Sequence, residues 1–324
     1  MNQLDYLRNY YEDYAAKNKF TKEPKGLYEP VDYILNIGGK RLRPLMLLMT
    51  AKLFTEDLEK ALAPAYAIEV FHNFTLMHDD IMDAAPLRRG KTTVHHKWNL
   101  NTGILSGDVM LIQAYEYLCQ VESAILPEVI RIFNEVAIGV CEGQQFDVDF
   151  ETMESVSIPQ YIKMIELKTS VLVAGAMRIG ALVGGANKED AYHLGEFGRN
   201  IGIAFQLQDD ILDTFGDPEK FGKKVGGDIA QNKKTYLVLK SLELATPEVA
   251  ERLNYLLSTY PEDESGKIKE VTAIFDYLDI RKHANLEKEA YLNVAYDHLK
   301  AVNISESDKE PLYEFAQYLI HRDI

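Results

Sequence analysis

A chain of 324 residues, 47% hydrophobic and 26% charged, is long enough to bury a sizeable core. Its formal net charge of −15 excludes nucleic-acid backbone binding, which needs Lys and Arg patches that displace counterions. An acidic protein that handles anions must reverse the sign locally, with metal ions or basic clusters.

The opening MNQLDYLRNYYEDY is polar and acidic, where a secretory leader is basic and then apolar. Apolar residues recur at helical spacing throughout. Leu45, Leu48, Met49 and Leu53 make one stripe, and Ile112, Tyr115, Leu118 and Cys119 another. No alternating strand run and no hairpin dipeptide between two such runs stands out. The reading is all-α. Breaks fall at Glu23–Gly26, Asn36–Gly39, Pro86–Thr93, Asn99–Gly103, Met153–Pro159, Gly184–Asn187, Phe215–Gly227 and Tyr260–Gly266. The long segments between them suit an antiparallel bundle, and with no linker or repeat the expectation is a single domain over 1–324. Gly175, Gly180 and Gly184 interrupt a helical pattern, which predicts close helix packing there. The apolar stretch Val171 to Gly185 contains Arg178 and reads as too short to span a bilayer. With only Cys119 and Cys141, the expectation is a cytoplasmic protein without an integral membrane segment.

Two clusters carry the chemistry. Asp79, Asp80 and Asp83 read DDIMD, and Asp209, Asp210 and Asp213 read DDILD, each closing an apolar helical run. Residues i and i+4 of a helix stack about 5.4 Å apart, so each cluster presents two carboxylates side by side. Those charges repel, and near a helix C-terminus the dipole disfavours them further. Hard divalent cations offset both effects, and Mg²⁺ takes one or two carboxylates together with substrate phosphates. Two such helices facing each other would hold a diphosphate between ions. Solvated acidic faces are the plainer explanation of one DDxxD; two, each followed by basic residues, favour the metal.

Basic stretches accompany the acids. Gly38-Gly39-Lys40-Arg41-Leu42-Arg43-Pro44 enters a helix, placing Lys40 and Arg43 at an N-terminus where anions bind. Arg88-Arg89-Gly90 follows the first cluster. Gly222-Lys223-Lys224-Val225-Gly226-Gly227-Asp228 follows the second, with Lys233 beyond it. Lys224 and Lys234 read as ordinary surface charges. Together the basic groups predict two phosphate-bearing ligands, one bridged by metal and one held by side chains.

With GGKRLRP, DDIMD, RRG, LSGD (Leu105–Asp108), Gly143-Gln144, Lys168-Thr169, FQLQDDILD and GKKVGGDI in this order, the chain resembles the trans-isoprenyl diphosphate synthases, or polyprenyl synthetases. The resemblance runs from about Gly38 to Thr235. It implies an isoprenoid synthase bundle around a deep central cavity and a homodimer. The implied reaction is head-to-tail condensation of an allylic diphosphate with isopentenyl diphosphate. Asp79, Asp83 and Asp209 resemble the Mg²⁺ ligands, about three ions assembling with the substrate diphosphate, with Asp80, Asp210 and Asp213 supporting. Lys40, Arg43, His72 and Arg89 resemble the isopentenyl diphosphate pocket. Arg88, Lys168, Lys223 and Lys233 resemble the groups on the allylic diphosphate, and Thr169 and Gln206 match positions facing the reacting carbons. Thr92 stands where the family often has Pro, and Asn232 where many members have Gly.

Phe74, five residues before Asp79, and Phe71, its i−3 neighbour, would form a floor for the growing tail. In the family the chain resembles, an aromatic there implies a farnesyl or geranylgeranyl product. A terpene cyclase would show an Asn/Ser/Glu-type second metal motif and no use for Lys40 and Arg43. A squalene-type synthase would show DxxED motifs, and a non-catalytic partner subunit would lack one aspartate cluster.

Overall fold

The computed structural model describes residues 3–217, 225–260 and 264–320. The architecture is all-α. In chain order the helices are α1 Gln3–Lys17, α2 Lys25–Leu35, α3 Leu42–Lys52, α4 Glu59–Met82, α5 Val94–Lys97, α6 Leu100–Leu118, α7 Leu126–Thr152, α8 Ile158–Ile165, α9 Val171–Gly184 and α10 Lys188–Phe215. Further helices span Gly227–Ala230, Tyr236–Leu244, Pro247–Leu257, Glu264–Tyr277, Ile280–Ala301 and Glu306–Ile320. A π-helical turn, Glu166–Ser170, joins α8 to α9.

One departure from the sequence reading is a small antiparallel hairpin, β1 Leu87–Arg88 and β2 Lys91–Thr92, registered Leu87 to Thr92 and Arg88 to Lys91. Arg89 and Gly90 both have positive φ (52° and 73°), the geometry of a two-residue hairpin turn. Two-residue strands are too short for a period of two to show in sequence. Other departures are breaks without glycine. Asp279 takes φ 56° ahead of Ile280–Ala301, and Thr246 caps Pro247–Leu257 by accepting from the Val249 N–H. Asn99 caps α6 by accepting from the Thr102 N–H, which leaves Gly103 inside the helix.

The chain forms two compact units, residues 1–134 with 175–195, and residues 135–174 with 196–324. In the first, α4 packs along α6 and α3, and Phe71 meets Phe133 edge-on at 5.0 Å between ring centroids. Gly180 and Gly184 permit the expected close crossing: a Cβ on Gly180 would lie 2.2 Å from the Leu47 carbonyl oxygen, and one on Gly184 2.6 Å from that of Ala51. The core of the second unit gathers Tyr161, Ile165, Leu207, Ile211, Leu237, Leu253, Val271 and Phe275 from five helices.

The helix Ile158–Gly184 runs 27 residues and is long and apolar enough to cross a membrane, unlike the shorter stretch read from sequence. It continues back through α8, past Lys163, Glu166 and Lys168, the charges that interrupt the apolar run in sequence. Of its most apolar window 78% is buried within the protein, as in a core helix.

Candidate active site

In the first unit the loop Gly38–Arg41 delivers its charges through unusual backbone. Gly38, Gly39 and Arg41 have φ of 106°, 138° and 52°. A side chain on Gly39 would strike the Arg89 guanidinium, 2.4 Å from Nη1, so glycine there makes room for that arginine. Arg89 in turn donates to the Gly38 carbonyl. Lys40 is exposed, just ahead of α3.

Arg41 and Arg43, two residues apart, do different work. Arg41 Nη1 pairs with Glu69 Oε1 at 2.6 Å, and Glu69, only 3% exposed, sits within the apolar run of α4. Asn73 Nδ2 donates to the same carboxylate at 3.0 Å, and Arg41 also donates to the Leu35 carbonyl. Arg41 is therefore a strut. Arg43 Nη1 lies 3.1 Å from His72 Nε2, and its own Nε is buried without a hydrogen bond. Since a guanidinium only donates, His72 Nε2 accepts and Nδ1 carries the proton. Burial, followed by the charges of Arg43, Arg89, Arg88 and Arg41, holds the His72 pKa well below 6.5. Burial also lowers the pKa of Arg43 and of Arg89, with neighbouring arginines adding to it. Cations that repel one another in a partly desolvated pocket constitute an anion site.

The depressed His72 pKa has a stability consequence with a fixed sign. An unfolded histidine protonates near 6.5 while the folded one resists, so its contribution is present above that pH and is lost as pH falls through the folded value. His72→Gln is expected to flatten the decline of urea-unfolding midpoint on acidification below about pH 6.5.

Asp83 N–H bonds the Asp79 carbonyl at 2.9 Å, so this pair keeps helical i, i+4 spacing at the end of α4. Asp80, 3% exposed, faces inward, where Arg88 Nε reaches its two oxygens at 2.8 and 2.9 Å and Nη2 reaches Oδ1 at 2.7 Å. Arg88 Nη2 also stands 3.9 Å from Asp79. The hairpin thus ties its arginine to the first cluster, and Tyr33 holds the hairpin by donating to the Thr92 carbonyl at 2.7 Å. Phe71 is core, at 1% exposure. Phe74 is half-buried, with its ring 5.6 Å from Phe71 and 4.8 Å from His78. His78 lies against Gly107, where a Cβ would come within 2.2 Å of its Nε2.

In the second unit Asp209, Asp210 and Asp213 lie on α10. Asp210 is 3% exposed and accepts from the Tyr161 hydroxyl and, at 3.3 Å, from Gln206 Nε2. Burial pushes its pKa up to about 7 despite the Tyr161 bond, with the charge of Asp228 adding. Asp213 Oδ2 accepts from the Asp228 N–H at 3.0 Å and so caps the short helix Gly227–Ala230. Asp80, Asp210 and Asp213 are thus committed to protein partners and orient their neighbours. Asp228 in turn lies 3.3 Å from Lys233. Lys223 falls outside the described residues.

Lys168 and Thr169 occupy the π-helical turn. Lys168 Nζ pairs with Asp147 at 2.5 Å, and Thr169 Oγ1 is 3.5 Å from Gln206 Oε1. Gly143 admits this turn: a Cβ there would be 2.3 Å from the Lys168 backbone nitrogen. Lys234, by contrast, bonds the Phe150 and Met153 carbonyls and finishes α7. Sequence reading missed Glu69, His78, Asp147, Tyr161 and Asp228. It also missed Lys288, which is buried on the amides of Gln208 and Asn285 at 2.7 and 2.8 Å.

The donors suit Mg²⁺. Among the described residues no three acid, His or Cys side chains close a metal cage by themselves. Hard oxygen donors arriving in pairs leave coordination positions for phosphate oxygens, which is the way Mg²⁺ is usually held.

A helical protein with an arginine pocket for one anion and paired carboxylates for a metal-bound second belongs among enzymes that process diphosphates. The model of the polyprenyl synthetase family matches residues 24–275. A geranylgeranyl diphosphate synthase of Methanosarcina mazei is 43% identical over 222 residues, 68% of each chain. That of Sulfolobus acidocaldarius is 36% identical, covering 98% of this chain and 99% of the relative. A crystal structure of a geranylgeranyl pyrophosphate synthase superposes with a TM-score of 0.95 at 45% identity, covering 99% of both chains. The chain belongs to the polyprenyl synthetase family, and is accordingly a trans-prenyltransferase of the isoprenoid synthase fold that makes short-chain prenyl diphosphates.

Proposed function

We propose that this enzyme condenses an allylic diphosphate with isopentenyl diphosphate to give geranylgeranyl diphosphate, both units serving one catalytic domain. The observation that carries the reading is the division of labour within each acidic cluster. Asp80 and Asp210 are fixed by Arg88 and Tyr161, which orients Asp79, Asp83 and Asp209 as Mg²⁺ ligands. When bound, Mg²⁺ supplies Lewis-acid charge to the departing diphosphate.

The chain's own groups do the rest. Lys40, Arg43, Arg89 and the Nδ1–H of neutral His72 hold isopentenyl diphosphate. Arg88, Lys168, Lys223 and Lys233 hold the allylic diphosphate and stabilise the charge that builds as its C1–O bond breaks. The oxygens of Thr169 and Gln206 face the allylic cation, which the isopentenyl double bond attacks. Released diphosphate removes the proton. Positioning both substrates away from water lowers the barrier further.

Several relatives bear geranylgeranyl names, which supports that product; one from Natronomonas pharaonis, 38% identical over 67% of this chain, is a geranylfarnesyl diphosphate synthase. Phe74, half-buried beside His78, is the residue we assign to that limit. Phe74→Ala is expected to lengthen the product by at least one isoprene unit, read by chromatography of the dephosphorylated prenols. An unchanged length removes the floor role from Phe74.

Incubating the purified chain with Mg²⁺, dimethylallyl diphosphate and isopentenyl diphosphate tests the whole reading. Absence of a condensed linear prenyl product overturns it. We also place the enzyme in the cytoplasm as a homodimer. The exposed apolar residues Ile104, Leu105 and Ile112 on α6 support self-association. A monomeric mass in sedimentation would exclude it.

A further inference from the structure

Against the Arg41–Glu69 pair lies a partly open cavity of about 350 Å³ lined from α1, the end of α2 and α4. That volume is at the lower end of those that hold small molecules. Its walls include the rings of Tyr11 and Tyr66, and its floor is the ion pair itself. Glu69 is 3% exposed, and both its contacts, from Arg41 at 2.6 Å and Asn73 at 3.0 Å, fall on Oε1. Among the described residues Oε2 accepts no hydrogen bond. The Tyr11 hydroxyl, on a side chain 1% exposed, has no hydrogen-bond partner among them either. Burial, and next the charge of Glu69, raise the Tyr11 pKa, so the phenol keeps its proton and its oxygen can still accept. Both groups border the cavity with hydrogen-bonding capacity that a ligand could use.

The lining fixes the ligand's chemistry. Glu12, Asp32 and Glu69 outnumber Lys19 and Arg41, so the cavity is net acidic and favours a cation. An anion would meet Glu69 directly. We infer that this cavity binds a small organic ammonium ion, its nitrogen on Glu69 Oε2 and the Tyr11 oxygen and its carbon body against Ala15, Ala16 and Leu35. A cation on Glu69 Oε2 draws on the same carboxylate charge that holds Arg41 at Oε1 and so weakens that pair, and the Arg41 backbone follows Lys40 and precedes α3. Occupancy therefore loosens the loop that presents Lys40 and Arg43 and weakens isopentenyl diphosphate binding. This coupling rests on the pocket assigned above; the ammonium site does not.

The probe is 2-phenylethylamine, titrated calorimetrically into the whole chain, with 3-phenylpropionate as the anionic counterpart. One saturable site is expected, at least about tenfold tighter for the amine, the scale of a charge-assisted contact. Ala15→Trp, which fills the cavity from its wall without touching Glu69, abolishes binding and leaves basal turnover unchanged. The amine raises KM for isopentenyl diphosphate about fivefold at unchanged kcat, and Ala15→Trp removes that rise. Failure of the amine to saturate at millimolar concentration, equal affinity for the carboxylate, or binding that survives Ala15→Trp overturns the site. Binding without a change in KM overturns the coupling alone. A chain that binds the amine but makes no prenyl product defeats the proposed reaction and leaves the site standing.

Discussion

Asp209→Asn is expected to lower kcat by about a thousandfold. The substitution preserves shape and helical fit but removes the charge through which Asp209 is proposed to bind Mg²⁺. Asp210 beside it stays anchored by Tyr161 and Gln206, so the backbone of α10 has no reason to move. Thermal midpoint and circular dichroism should match the parent, and raising Mg²⁺ should recover part of the loss, because weakened metal affinity responds to concentration. Wild-type turnover in this variant would remove Asp209 from the ligand set.

Glu69→Ala is expected to destabilise the first unit by about 3 to 5 kcal/mol, the usual consequence of removing one partner of a buried ion pair. Arg41 would remain without its anion, and Asn73 would lose its side-chain acceptor. Double substitution to Glu69→Leu with Arg41→Met should recover most of that loss, since no uncompensated charge is left. Urea denaturation measures both. If Glu69→Ala alone unfolds at the parent's midpoint, the pair is not a structural strut.

How far these roles could be read without coordinates depends on the residue. The aspartate pairs were visible because i, i+4 spacing and helical periodicity are local properties. The glycines at 180 and 184 were visible because their helical cost demands a compensating close contact, and the Leu47 and Ala51 carbonyls supply it. Lys40, Arg41 and Arg43 look alike in sequence, and only their folded surroundings, Glu69 for Arg41 and His72 for Arg43, tell them apart. A signal did exist: Glu69 stands in an otherwise apolar stretch, Ala61 to Phe71, and a carboxylate buried there needs a cation. Asp147 lies one helical turn beyond Gly143, whose missing side chain admits the Lys168 turn, so the pair follows from the crossing and not from the motif. Lys288 offered nothing to read, because its partner Gln208 is 80 residues away in the chain. The hairpin escaped because its strands are two residues each and its turn uses Arg89 where Asn or Asp is the familiar cue.

The order in which the polypeptide leaves the ribosome acquires meaning from the way the first unit is put together. Residues 175–195 belong to it, yet 40 residues assigned to the other unit (135–174) are synthesised in between. Until Gly180 and Gly184 emerge, the backbone of α3 at Leu47 and Ala51 lacks its covering helix. A nascent chain halted before Gly175 would expose that apolar face to chaperones, and a gene fragment cut there would encode an unfinished fold.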